Sequence, residues 1–141
     1  MREILFKAKR IDNGEWLEGL VAKIENTFCL IREYGSNISY ECDVNTLCQY
    51  TGLFDKNGNK IWENDVVKKH FYTDYDACAN SEEYTGKVEY LDFAWCITFE
   101  ENKHKCVYPI FMAVEFKDAE YYEVIGNIFD NPELLKGSEE E

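Results

Sequence analysis

The sequence predicts an all-β protein, and three observations carry the prediction. Short runs rich in β-branched and aromatic residues follow one another closely, and turn residues separate them. Asn-Gly pairs, which favour tight hairpin turns, occur at Asn13-Gly14 and Asn57-Gly58. The long 3.6-residue apolar periods that crossover helices require are missing. This pattern favours a small roll or barrel, because closure removes the exposed edges of an open sheet.

The first segment, residues 1–48, is predicted to be a small antiparallel sheet. It opens with a hairpin around Asn13-Gly14, and residues 33–37 form a later turn. The predicted strands are residues 4–11, 16–24, 27–32 and 38–42. An isolated sheet of this size must bury its apolar face somewhere, so we predict self-association through it.

The second segment, residues 49–136, is predicted to carry the main β-domain. Its strands are residues 49–54, 60–67, 86–90, 94–99 and 122–129. The first two are predicted to form a second hairpin, and residues 86–90 and 94–99 a third. Residues 102–120 fit either a strand or a short helical turn, and Pro132 follows the last strand. Residues 137–141 form a charged tail that we expect to fray.

A polar, acidic excursion over residues 72–85 interrupts this β-domain. It carries Tyr72, Tyr75 and Tyr84, and tyrosine supplies contact area at low entropic cost. These tyrosines are candidate partner contacts. The alternative, that they pin the loop to the barrel, stays open.

Charge excludes two classes of partner. The formal net charge is −13, which argues against binding to the phosphate backbone of nucleic acids and to anionic membranes. Residues 70–141 contain 5 basic and 17 acidic side chains, a net charge of −12. This excess either keeps the protein soluble or imitates the phosphate backbone toward a DNA-binding protein.

Targeting signals are missing from the N-terminal residues. The opening apolar run, Ile4 to Phe6, is too short for a secretory signal, and no run approaches the roughly 20 residues that cross a bilayer. We therefore expect a cytoplasmic protein.

The six cysteines do not follow a metal-binding or disulfide spacing. No CxxC occurs, and the closest pair, Cys42 and Cys48, is separated by five residues. Cys29 and Cys96 lie within β-rich runs and are expected to be buried thiols. We predict no metal and no cofactor.

Catalytic constellations are also weak. Glu63 and Asp65 lie two residues apart in a predicted strand and could pair as acid and base. We instead expect Asp65 to be structural, because an acidic residue after a turn can accept hydrogen bonds from neighbouring backbone amides. His70 and His104 have no nucleophile motif nearby, so no enzymatic activity is predicted.

Four ordered motifs nevertheless resemble a known family, the YopX-like proteins of phages and prophages. They are Phe6-Lys7-Ala8-Lys9 leading to Trp16; Gln49-Tyr50-Thr51-Gly52-Leu53 followed by Asp55-Lys56-Asn57-Gly58 and Ile61-Trp62-Glu63-Asn64-Asp65; Gly86-Lys87-Val88; and Val124-Ile125-Gly126-Asn127-Ile128 with Asn131-Pro132-Glu133-Leu134. The resemblance implies an N-terminal β segment followed by a small SH3-type barrel, and a phage or prophage origin. It implies no reaction.

Residues of these motifs are expected to be structural. They are Gln49, Tyr50, Thr51, Gly52, Gly58, Asp65, Gly126 and Asn127. This chain departs from the family pattern at Trp62, where tyrosine is usual, and at Asn64, where glycine is usual. Asparagine is the next-best residue at positive φ, so we predict that Asn64 lies in a turn with positive φ just before a strand.

From these observations we expect an accessory protein of phage or prophage origin in the bacterial cytoplasm. Its predicted role is to bind an unknown host or phage protein without catalysis. The alternative is an acidic DNA mimic that inhibits a nucleic-acid-binding protein of the host. Such barrels host unrelated roles, so the fold does not decide between the two.

Overall fold

The computed structural model describes residues 4–69, 84–91, 94–101, 104–109 and 122–135. The predicted all-β class is confirmed: in these ranges the chain forms eleven antiparallel strands, two short 3₁₀ turns and no α-helix. None of the described segments is a helix long and apolar enough to cross a membrane. The chain divides into two compact units, residues 1–52 and 53–141.

The N-terminal unit begins with the predicted hairpin. The strands of the unit are β1 (Phe6–Lys9), β2 (Trp16–Ile24), β3 (Cys29–Arg32), β4 (Ser39–Cys42) and β5 (Cys48–Phe54), and β5 runs past the end of the unit. Strands β1 and β2 pair with Lys9 opposite Trp16, and Gly14 in their connection has a φ of 74°. A 3₁₀ turn, Val44–Thr46, is capped by the side chain of Asp43 and precedes β5.

This first sheet curls, so that its edge strand β4 contacts the residue after β1 without closing a barrel. The strand order is β4-β3-β2-β1-β5-β6, in which β6 is Lys60–Trp62, and an isolated bridge joins Arg10, just after β1, to Cys42 of β4. Two flanking backbone hydrogen bonds, from Ile11 N to Glu41 O and from Asp43 N to Lys9 O, hold this bridge. The curl buries an apolar cluster inside the unit: Ala8, Leu17, Cys29, Ile31 and Cys42.

The strands of the second unit are β6 (Lys60–Trp62), β7 (Asp65–Lys69), β8 (Tyr84–Leu91), β9 (Ala94–Glu101), β10 (His104–Pro109) and β11 (Tyr122–Asn127), and a 3₁₀ turn over Pro132–Leu135 follows. All of these strands except β6 form one antiparallel sheet with the order β10-β9-β8-β7-β11. Strands β8 and β9 form the predicted third hairpin. The core of this unit consists of Ile61, Val67, Val88, Ile97 and Tyr122.

Several predicted boundaries change. The single strand predicted over residues 60–67 is wrong, because a turn at Glu63-Asn64 separates β6 from β7. The last strand ends at Asn127, two residues earlier than predicted, because a turn begins at Ile128. Within 102–120, residues 104–109 form a strand, and residues 110–120 lie outside the described ranges.

The expected SH3-type barrel is not confirmed. In the described ranges the strands form two antiparallel sheets, and neither closes into a barrel.

The predicted excursion 72–85 ends two residues too late, because residues 84 and 85 belong to β8 and pair with β7. Residues 72–83 and the tail 137–141 lie outside the described ranges.

Candidate functional site

A buried carboxylate, Asp55, organises the turn between β5 and β6. Its Oδ1 accepts hydrogen bonds from the backbone N–H groups of Asn57 (2.9 Å) and Asn59 (2.8 Å). Aspartate at the start of a turn forms such bonds readily, which explains why this sequence turns here. Its Oδ2 accepts the N–H of Val124 in β11 at 2.9 Å, although 69 residues separate the two positions. Asp55 therefore holds a local turn and fixes a distant strand.

The same turn covers one edge of β11. The backbone N–H of Lys56 donates to Tyr122 O at 3.0 Å, beside the bond from Val124 to Asp55. These two bonds satisfy groups that an edge strand would otherwise expose to another chain. The turn thus substitutes for a neighbouring strand.

A second buried carboxylate, Asp65, lies after the turn that separates β6 from β7. Its Oδ2 accepts the backbone N–H of Trp62 at 2.8 Å, which is the kind of bond predicted for it. Glu63 lies in the turn itself, so the pairing of Glu63 and Asp65 on one face of a strand is wrong. Asp65 is only 3% exposed, and its geometry is that of a structural turn residue.

Asn64 joins three parts of the second unit through its backbone. Its φ is 71°, which confirms the predicted positive φ. Its N–H donates to Val88 O at 2.8 Å, and its carbonyl accepts the N–H of Ile128 at 3.0 Å. The left-handed conformation turns both groups toward their partners, so the position needs glycine or asparagine.

Two asparagines close the C-terminal motif. Asn127 Oδ1 accepts the N–H groups of Phe129 and Asp130, both at 2.9 Å, and Asn131 Oδ1 accepts the N–H of Asn127 at 3.2 Å. A Cβ at Gly126 would lie 2.5 Å from Asn131 Oδ1. Glycine at this position therefore lets the asparagine side chain approach the strand.

A polar pair bridges β8 and β9. Thr98 Oγ1 donates to Glu89 Oε2 at 2.5 Å, and Lys87 Nζ lies 3.6 Å from the same oxygen. Burial alone would raise the pKa of Glu89, but the bond from Thr98 and the charges of Lys87 and Lys105 together hold this pKa below its ordinary value. These groups stabilise the strands rather than leaving a carboxylate with the raised pKa of a general acid.

An exposed aromatic pair lies toward the end of the β8–β9 hairpin. Tyr90 is directly opposite Trp95, and the two rings meet edge to face with centroids 5.0 Å apart. Trp95 is half-buried and packs against the core of the second unit, whereas Tyr90 is 52% exposed. An exposed ring supported by a core-packed ring is a rigid apolar contact point.

Comparison with known proteins identifies the family. The family model described as YopX protein matches residues 7–136. The chain belongs to the YopX family. No curated protein matches it. The crystal structure of protein EF1440 from Enterococcus faecalis is similar, with 23% sequence identity, a TM-score of 0.49, and coverage of 96% of this chain and 99% of that chain.

The YopX motif residues occupy separate places in the two units. Gln49 and Tyr50 lie in β5, where Gln49 pairs with Phe6 and the Tyr50 N–H donates to Leu5 O. Thr51 is also buried in β5, and Gly52 and Gly58 have φ of 90° and 85°. Asp65, Gly126 and Asn127 belong to the turn framework of the second unit.

The candidate partner contacts of the sequence are only partly visible. Tyr84 begins β8 with its backbone opposite Lys69, and Tyr72 and Tyr75 lie outside the described ranges. Asp55, Asn131 and Tyr90 were not among the predicted site residues. Asp55 could have been predicted as a turn residue, because it lies just before the Asn57-Gly58 pair. Tyr90 could not have been predicted, because its role depends on the cross-strand pairing with Trp95.

The part of the chain that the structure describes contains no cluster of three or more histidine, cysteine, aspartate or glutamate side chains that could hold an ion. The chemistry this arrangement offers is hydrogen bonding to its own backbone and apolar contact at Tyr90.

Proposed function

We propose that this YopX-family chain is an accessory protein of phage or prophage origin that acts in the bacterial cytoplasm by binding another protein. The proposed role is non-enzymatic. We also propose that its β-domain has an SH3-type architecture, as the family resemblance implies. The observation that carries the binding role is the exposed Tyr90 ring held against Trp95.

Tyr90 has the features of a binding hot spot. Aromatic side chains dominate such positions, and a ring that is already ordered loses little entropy when a partner covers it. Tyr90 meets both conditions, since more than half of it is exposed and Trp95 supports it from the core side. Tyr72, Tyr75 and Tyr84 belong to the same proposal as further candidate contacts.

The polar framework supports the proposal from the other side. The Asp55 and Asp65 carboxylates and the Asn127 amide each bind backbone N–H groups. Side chains engaged in this way position turns, and moving them would break the turns. A surface role is therefore more consistent with these motifs than a reaction centred on them.

The test is a capture experiment that compares two tyrosines. A photo-crosslinking amino acid replaces Tyr90 in one variant and Tyr34, which is 56% exposed in the N-terminal unit, in the other. Crosslinked proteins from an infected or prophage-bearing host are identified by mass spectrometry, then purified and titrated directly. We expect a crosslink to a protein of the host or phage at position 90 alone.

Affinity then gives the quantitative readout. Loss of a hot spot costs about 2 kcal/mol, or roughly 30-fold in Kd, so Tyr90→Ala should weaken binding by that factor while Tyr34→Ala leaves Kd unchanged. Equal effects of the two substitutions would contradict the assignment to Tyr90. Turnover of a small molecule by the purified chain would contradict the non-enzymatic role.

The second candidate function is the acidic DNA mimic, which the charge distribution favours. Residues 53–141 contain 9 basic and 20 acidic side chains, a net charge of −11 out of −13 for the chain. A mimic should lose affinity steeply with added salt and compete with duplex DNA. Neutralising Glu115, Asp118, Glu120 and Glu123 together should abolish its binding. Binding that is insensitive to salt would reject the mimic and leave the apolar contact.

A further inference from the structure

Two free cysteines face each other inside the N-terminal unit. Cys29 of β3 and Cys42 of β4 are directly opposite in the antiparallel register. Both are free thiols, and both are 0% exposed within the same apolar cluster. The sequence did not reveal this pair, because the two positions are 13 apart in the chain and register is a long-range property.

The backbone geometry suits a covalent bond between them. Directly opposed residues of antiparallel strands have Cα atoms about 4.5 to 5.5 Å apart. Disulfides span Cα separations of roughly 4.4 to 6.8 Å, so a directly opposed pair lies within the range that a disulfide bridges. Cys48 and Cys96 are also buried, but the residues directly opposite them in β1 and β8 are Lys7 and Glu89 rather than cysteines.

Access to the thiols depends on the edge strand. β4 has four residues, and beyond its pairing with β3 it is held by the Arg10–Cys42 bridge and two flanking bonds. Burial raises the pKa of Cys42 to about 11, the neighbouring Cys29 acts in the same direction, and Arg10 opposes it. Because both cysteines are fully buried and only a thiolate attacks a disulfide, reaction requires β4 to open, that is, to separate from its neighbours.

We propose that Cys29 and Cys42 are a redox-responsive pair that forms an intramolecular disulfide on exposure to a small-molecule disulfide such as oxidised glutathione. In the first step one cysteine thiolate attacks the glutathione disulfide, forms a mixed disulfide and releases one glutathione. The second cysteine thiolate then attacks the protein-side sulfur, and a second glutathione leaves. The protein loses two protons and two electrons, and the oxidant becomes two molecules of reduced glutathione.

The disulfide would lock the pairing of β3 with β4. It joins β3 to the edge strand β4 and restricts the unfolded chain, so the oxidised protein should be more resistant to heat. Reducing agent should reverse this change. The site would therefore convert an oxidising environment into a more rigid N-terminal unit.

The experiment treats the folded full-length chain with oxidised glutathione and maps the product by mass spectrometry. We expect a mass loss of about 2 Da and a tryptic crosslink between the peptides containing Cys29 and Cys42. No lysine or arginine lies between Cys42 and Cys48, so the mapping is repeated in Cys48→Ser to distinguish them. The crosslink should persist in Cys48→Ser and Cys96→Ser and disappear in Cys29→Ala and Cys42→Ala.

Two further measurements keep the proposal testable if an alanine variant folds poorly. Urea below the unfolding transition should accelerate oxidation of the wild-type chain, because it populates the open state of β4. The Tm of the oxidised chain should exceed that of the reduced chain. A product that stops at the glutathione adduct, a crosslink to Cys48, or a lower Tm after oxidation would overturn the proposal.

Discussion

Asn64 shows how one backbone angle determines the path of the chain. With a φ of 71°, it directs its N–H to Val88 and its carbonyl to Ile128, and it separates β6 from β7. The sequence predicted the angle, because asparagine replaced a family glycine. It also predicted one strand over 60–67, and that strand is wrong, because the polar run Glu63-Asn64-Asp65 between its apolar pairs contains the turn.

Substitutions at Asn64 should therefore depend on backbone strain. Asn64→Gly is expected to be neutral or stabilising, whereas Asn64→Val should lower the free energy of unfolding by about 1 to 2 kcal/mol, because a β-branched residue disfavours positive φ. Asn45→Val, at an exposed position without positive φ, is the matched control. Urea denaturation provides the measurement, and equal stability of the glycine and valine variants would refute the strain argument.

Glu89 predicts a pH dependence with a definite sign. Its folded-state pKa lies below the ordinary value, so its contribution to stability is present above the unfolded pKa and is lost as pH falls through the folded pKa. The stability difference between wild type and Glu89→Gln should therefore shrink from about pH 6 to about pH 3. Glu133→Gln, at an exposed position, serves as control. A difference that grows on acidification would contradict the prediction.

At the scale of elements, strands β8 and β9 approach each other unusually closely at Gly86. A Cβ at this position would lie 2.5 Å from Ile97 Cγ2 and 2.7 Å from Thr98 O. Gly86→Ala should therefore destabilise the protein by about 2 kcal/mol, the usual range for overpacking. Thr85→Ala, one residue earlier in the same strand, should cost less. Thermal unfolding compares them, and a stable Gly86→Ala variant would show that the strands can separate without cost.

Hairpins were the most predictable elements, and long-range contacts were the least. The first hairpin followed from Asn13-Gly14, and β8 paired with β9 as predicted, because turn chemistry is local. The bond from Val124 to Asp55 and the pairing of Cys29 with Cys42 join residues that are distant in sequence. Both depend on strand register, which the residues next to each position do not determine. The curl of the first sheet, in which a single bridge joins Arg10 to Cys42, was not predicted for the same reason.

At the scale of the whole molecule, self-association through the N-terminal sheet stays a prediction. The curl already buries one apolar cluster inside that unit, so association would use the large apolar side chains that remain more than half exposed: Ile4, Ile11, Ile24, Tyr34 and Ile38. Light scattering at high concentration should give a mass above that of the monomer, and Ile24→Lys with Ile38→Lys should reduce it. A strict monomer would remove the prediction.

The central claim is that the polar residues of the YopX motifs build the fold and leave function to the surface. Asp55 tests it most directly, because its carboxylate accepts three backbone N–H groups, two from its own turn and one from the distant strand β11. Removing the carboxylate leaves buried donors without acceptors, which costs roughly 1 to 3 kcal/mol for each group. Asp12, an exposed turn aspartate paired with Arg10, provides the control.

The measurement is the free energy of unfolding in urea for Asp55→Ala against Asp12→Ala. We expect Asp55→Ala to lose about 3 kcal/mol and Asp12→Ala to lose less than about 1 kcal/mol. An Asp55→Ala chain as stable as wild type would contradict the claim, because the carboxylate would then be free for a role other than holding β11 and its turn.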